Sequence, residues 1–150
     1  APADEWSGDV GCGVQYFSQV GAIRVAEGAG MRFESGLGLP EKLVALQDKM
    51  QAGDRLAQQV YETIGVYLGY AIAHYAEFYD LRHLLILGRV STGAGGEVLI
   101  AAANRVLGEE FPELAGKLHL ALPDEASRRV GQSIAAASLP RLPKERESCA

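Results

Sequence analysis

Cysteine is scarce: two in 150 residues, Cys12 and Cys149, near opposite ends of the chain. Composition with so little cysteine excludes a disulfide-dense scaffold, and neither residue sits in a CxxC or Cys/His pattern, so a zinc site is unsupported. Two free thiols in a cytoplasmic protein are what this usage predicts. Apolar runs are short, and none approaches the roughly 18 residues of a membrane-spanning helix. Basic residues are outnumbered, 14 Lys plus Arg against 19 Asp plus Glu for a net charge of −5. That balance argues against a nucleic-acid-binding surface, which is normally basic. There is no Gly-Lys-Ser/Thr phosphate loop, no GxGxxG fingerprint and no GxSxG nucleophile elbow. The chain opens Ala1-Pro2-Ala3 without an initiator Met. It is therefore expected to be a processed product, a secreted mature form or a fragment of something longer, and the secreted form would need a Cys12–Cys149 bridge.

What is present is an ordinary globular balance of 48% apolar and 22% charged residues. The length suits about one domain. Glycine alone is in excess, at 18, where average usage gives roughly 10 or 11.

Residues 1–13 read as loop. Helical spacing begins with Val14, Phe17, Ala22 and Val25, and predicts one helix over 14–27, stopped by Gly28 and Gly30. Residues 31–38 are irregular or a short extended piece. Pro40 opens a helix with Leu43, Leu46 and Met50 on one face. Gly53 closes it, and Asp54 is the expected N-cap of the next. Over 55–78, Leu56, Val60, Ile64, Leu68, Ala71, Tyr75 and Phe78 recur every three or four residues. Gly65, Gly69 and Ala73 add a small-residue stripe, which predicts another backbone close by. This helix should be central.

Beyond Asp80 the period shortens. Residues 83–87 predict a strand buried on both faces, 93–96 a glycine loop, 97–110 a helix and 118–122 a second strand. Asp124 caps a predicted last helix over 125–138, and a tail follows at 140–150. Helix, strand, helix, strand, helix implies a right-handed parallel crossover. Two short strands do not make a self-sufficient sheet. The missing strands must come from a partner, from chain outside this sequence, or from the irregular region before Pro40.

The stretch 88–96, GRVSTGAGG, leaves the carboxyl end of a strand and opens a helix, a place that favours anions. Its alternative is a tight glycine turn without a ligand. His74, His83 and His119 lack metal or triad spacing, and packing or rim positions explain them. Glu27, Glu34, Glu109 and Glu110 read more simply as surface charges than as acid–base pairs. Arg128 and Arg129 read as a solvated face, with an acidic partner as the alternative. Tyr61, Tyr67, Tyr70, Tyr75 and Tyr79 suit core or interface packing rather than a cofactor box.

An ordered set of segments from Gly11 to Leu139 resembles the C-terminal half of ROK-family proteins, the sugar kinases and related repressors of the actin-like ATPase superfamily. Gly11-Cys12 with Tyr16 and Ser18 is similar to that family's Gly-Cys-x-Glu-x-Tyr-x-Ser stretch. Gly53-Asp54 leading into residues 67–73, YLGYAIA, resembles its long helix. LLILGRVS at 84–91 resembles its strand and adenosine-side glycine turn, and 124–137 resembles its closing helix.

The resemblance implies an α/β, helix-rich fold: the C-terminal lobe of an actin-like ATPase (ribonuclease H-like) architecture over 1–139. It implies ATP and Mg²⁺ as cofactors, with Gly88, Arg89, Ser91 and Thr92 near the adenosine or ribose. It implies transfer of a phosphoryl group to a sugar hydroxyl. The expected partners are the N-terminal lobe or missing strands of a parent protein, a sugar, and a second copy in a homo-oligomer, with no nucleic acid and no membrane. Departures are specific. Arg89 follows Gly88 where the family has consecutive glycines, and Val14 stands where its sugar kinases place a sugar-binding Glu. The family's multi-cysteine zinc motif is reduced to Cys12. Its phosphate loop and catalytic Asp lie in an N-terminal half outside this chain, so this chain alone is expected to be inactive. The alternative is a non-catalytic regulator or assembly module that keeps the fold.

Overall fold

A computed structural model of the chain describes residues 3–4 and 7–123. The expected helix over 125–138, the tail at 140–150, Arg128, Arg129 and Cys149 lie outside the described residues. In order, the chain forms α1 (Val14–Phe17), α2 (Gln19–Gly28), α3 (Leu39–Gln51), α4 (Arg55–Ala76), β1 (His83–Leu85), a 3₁₀ turn (Arg89–Ser91), α5 (Gly93–Glu110), α6 (Pro112–Ala115) and β2 (His119–Ala121). The fold is helix-rich α/β, with a small parallel sheet. No helix among the described residues is long and apolar enough to cross a membrane.

Local sequence explains most boundaries. The single helix expected over 14–27 is two, because Ser18 takes an extended backbone and its Oγ accepts from Val20 N at 3.0 Å. A side chain that caps a new helix start interrupts the old one. Pro40 lies in the first turn of α3, where its missing N–H costs nothing. Gly53 takes a positive φ of 78°, and Asp54 then caps α4, its Oδ1 accepting from Ala57 N at 3.0 Å.

The 22 residues of α4 span about 33 Å and form the centre of the core. Val60, Tyr61, Ile64 and Ile72 are buried, facing Leu99, Ala103 and Leu107 of α5, while Ala22 and Ile23 of α2 and Leu43 and Leu46 of α3 complete the cluster. Burial of each large aliphatic side chain contributes about 1.5–3 kcal/mol. The most extensive helix contact is α4 with α5, and the small-residue stripe explains it. A Cβ on Gly65 would strike Leu99 O and come within 2.7 Å of Ala102 Cβ, and one on Gly69 would lie 2.8 Å from Val106 Cβ. The two backbones meet where side chains are missing.

The sheet is β1 beside β2, parallel, with His83 opposite His119, Leu84 opposite Leu120 and Leu85 opposite Ala121. The chain crosses between them through the 3₁₀ turn, α5 and α6. Backbone pairing extends the ribbon at both ends, His119 N donating to Arg82 O at 2.8 Å and Ile86 N to Ala121 O at 2.9 Å.

Two expectations are corrected here. The first strand is not buried on both faces. Leu84 and Ile86 pack on the core, but Leu85 and Leu87 are 53% and 54% exposed. Alternation sends successive side chains to opposite faces, and the described helices cover only one. Nor does the region before Pro40 supply a strand, since Met31–Gly38 forms none and the described sheet has two strands.

Candidate functional site

The turn after β1 is built from a backbone that one residue type permits. Gly88 has φ 126° and ψ 164°, a conformation essentially confined to glycine, and nothing lies within 4 Å of where its Cβ would be. Space over the backbone is therefore open. The chain then tightens into the 3₁₀ turn and becomes extended at Thr92, the N-cap of α5. Gly93 and its neighbours are not a loop, as their composition suggested, but the first turn of α5. Packing explains why two of them are glycine. A Cβ on Gly95 would enter the Tyr61 ring, and one on Gly96 would strike Ser91 O. These two glycines serve the close approach of α5 to α4 and to the turn.

The four residues singled out in sequence come together but divide by exposure. Gly88 and Arg89 face solvent. No hydrogen bond or ion pair to the Arg89 guanidinium occurs among the described residues. Ser91 is fully buried, and its Oγ donates to Gly88 O at 2.9 Å. Thr92 Oγ1 donates to Arg89 O at 2.7 Å and caps no N–H of α5. The first N–H groups of that helix thus lack a side-chain cap and carry the positive end of its dipole. Ser91 and Thr92 hold the shape of the turn, and Gly88 and Arg89 present its surface.

Two residues absent from the sequence-level site support it. Gln47, on α3, donates from Nε2 to Arg89 O at 2.9 Å and to Thr92 Oγ1 at 2.7 Å. It latches the turn to the helical core across more than forty residues of chain. Tyr61, on α4, is fully buried with its ring against Gly95. Its hydroxyl has no hydrogen-bond partner among the described residues. Burial pushes the Tyr61 pKa up to about 12, and the nearby Gln47 amide opposes that rise only in part. No local pattern marks Gln47 or Tyr61, because their roles depend on where α3 and α4 lie against the turn.

The other candidates have structural explanations. Glu27 pairs with Lys42 at 2.6 Å on the surface. Glu110 accepts a hydrogen bond from Tyr70, which holds the Tyr70 hydroxyl above its ordinary pKa. The tyrosines pack, Tyr16 on Tyr67 and Tyr70 on Phe111, edge to face at 5.8 and 6.2 Å. His74 lies edge-on to Phe78 at 5.3 Å. Cys12 is a free thiol. A hollow of about 590 Å³ lies at the carboxyl end of α4, lined by Phe78, Leu81, Phe111 and Lys117 among others, and does not include the turn. Among the described residues no group of three or more His, Cys, Asp or Glu side chains is placed to hold a metal ion.

Comparison with known proteins finds no matching family model, no matching curated protein and no matching solved structure.

Proposed function

We propose that this chain is the C-terminal lobe of a ROK-type, actin-like ATPase fold protein, contributing the adenosine side of a nucleotide cleft. The observation that carries the reading is Gly88: a backbone only glycine adopts, with open space over it, at the carboxyl end of a parallel strand and just before a helix start. Ligands of open α/β sheets bind at such strand ends. A nucleoside can approach that backbone without meeting a side chain, and the exposed Arg89 offers a planar cation to stack on a base or to contact phosphate. Gln47, Ser91 and Thr92 hold the turn in shape. Mg²⁺ belongs with the phosphates, on the side supplied by the N-terminal half.

The intact protein would transfer a phosphoryl group from ATP to a sugar hydroxyl. Among the described residues one face and the outer edges of the β1–β2 ribbon are uncovered, and strands or a lobe of the parent protein would add there. A second reading, a regulator or assembly module without sugar chemistry, draws on Val14 at the position of the family's sugar-binding Glu and on Arg89 within the turn.

Calorimetric titration of ATP into the chain and into its Arg89→Gly and Gly88→Val variants tests the reading. Binding that persists in Arg89→Gly and is lost in Gly88→Val is the expected result. Failure of all three to bind favours the second reading. Phosphorylation of any sugar by this chain alone would contradict the placement of the catalytic Asp in another lobe.

A further inference from the structure

His83 and His119 are separated by 35 intervening residues, yet the parallel register sets them directly opposite each other. Opposed residues of neighbouring strands project from the same face, and their ring centres are 6.1 Å apart with the planes inclined at 73°. Both side chains are exposed, on the face of the ribbon away from the helical core. Backbone pairing brackets the pair, with Arg82 O accepting from His119 N at 2.8 Å, so the strands hold the two Cα atoms in register.

We propose that His83 and His119 form a two-imidazole chelate for a divalent transition-metal ion of the Zn²⁺, Ni²⁺ or Cu²⁺ class. Imidazole nitrogen suits these ions, whereas Mg²⁺ and Ca²⁺ prefer oxygen ligands. Two imidazoles bound at about 2.0–2.1 Å to one tetrahedral ion have ring centres about 5 Å apart. The observed spacing is therefore about 1 Å too wide, within reach of small χ1 and χ2 adjustments of two exposed side chains. No third side-chain ligand is grouped with them among the described residues, so water completes the coordination and the site stays open to a further ligand. Such a site joins the two strands side chain to side chain, in a ribbon otherwise held by few backbone hydrogen bonds. It is separate from the Gly88 turn and does not depend on nucleotide binding.

The test is a titration of ZnCl₂ and NiCl₂ into the full chain, by calorimetry and by thermal unfolding, with MgCl₂ as the oxygen-preferring comparison. The wild-type chain should bind one Zn²⁺ or Ni²⁺ with micromolar affinity and unfold at higher temperature with the ion present, while Mg²⁺ has no effect. His83→Ala and His119→Ala should each weaken binding at least tenfold and abolish the thermal shift. His74→Ala, on α4, should retain both. If either strand variant misfolds, His83→Gln or His119→Gln replaces it, with the same expected loss. Undiminished binding in the strand variants would overturn the proposal, as would loss in His74→Ala or no binding by the wild type.

Discussion

Gly65 and Gly69 lie where two helices touch, and a single added carbon would collide there with the backbone or a side chain of α5. Gly88 lies in open space and is required only by its backbone angles. The helical core uses glycine for closeness, whereas the turn after the ribbon uses it for shape. The contrast extends to the surroundings. Ile64, Leu99 and Leu107 are sealed among helices, while Leu85 and Leu87 of the ribbon remain half exposed. Burial is concentrated around the α4–α5 pair, and among the described residues the outer face of the ribbon and its turn are left open.

The sharpest test of that contrast compares leucines. Leu99→Ala should cost about 2–5 kcal/mol through the cavity it leaves in the core. Leu87→Ala should change stability by less than about 0.5 kcal/mol. Chemical denaturation of both variants measures the difference, and equal costs would mean that the outer face of the ribbon is covered after all.

The glycines come next. Gly65→Ala should cost about 1–3 kcal/mol by forcing α4 from α5, with a matching fall in the denaturation midpoint. Gly88→Ala should cost a similar or smaller amount, about 1–3 kcal/mol, from backbone strain alone. It should leave the core packing, read by near-ultraviolet circular dichroism, unchanged. Loss of the core signature in Gly88→Ala would erase the distinction between closeness and shape.

Asp54→Ala should cost about 1 kcal/mol by removing the cap of α4. The pH response of Tyr61 is the finest probe. Its pKa is raised from 10.0 to about 12 by burial, so the neutral phenol is favoured in the fold. Its contribution is complete below pH 10 and is lost as pH climbs from 10 through about 12. Tyr61→Phe should flatten that alkaline loss while leaving stability at pH 7 nearly unchanged, because the hydroxyl has no partner to lose. A steep loss that survives in Tyr61→Phe would assign it to other groups.

Much of the helical scaffold is legible without coordinates. The apolar period of α4, its Asp54 cap, Pro40 at the start of α3 and the small-residue stripe are local patterns with local causes. The turn at Gly88 is half legible. Its position after an apolar strand marks residues 88–96, but nothing local shows that Ser91 points inward or that Gln47 secures the loop. The glycines at 93–96 mislead for the same reason. Composition describes them as flexible, whereas 93–96 open α5, and the Tyr61 ring and the Ser91 carbonyl explain why 95 and 96 are glycine.

By itself the sequence determined the starts of α3 and α4, the close face of α4, the parallel order of two short strands and the glycine that the turn requires. Each follows from periodicity or from the angles a residue allows, and both act over a few residues. The tertiary structure alone decided that the described helices cover one face of the ribbon, that His83 stands opposite His119, and that Gln47 and Tyr61 back the turn. Those depend on register and on helix placement, which are set by the summed packing of segments distant in the chain.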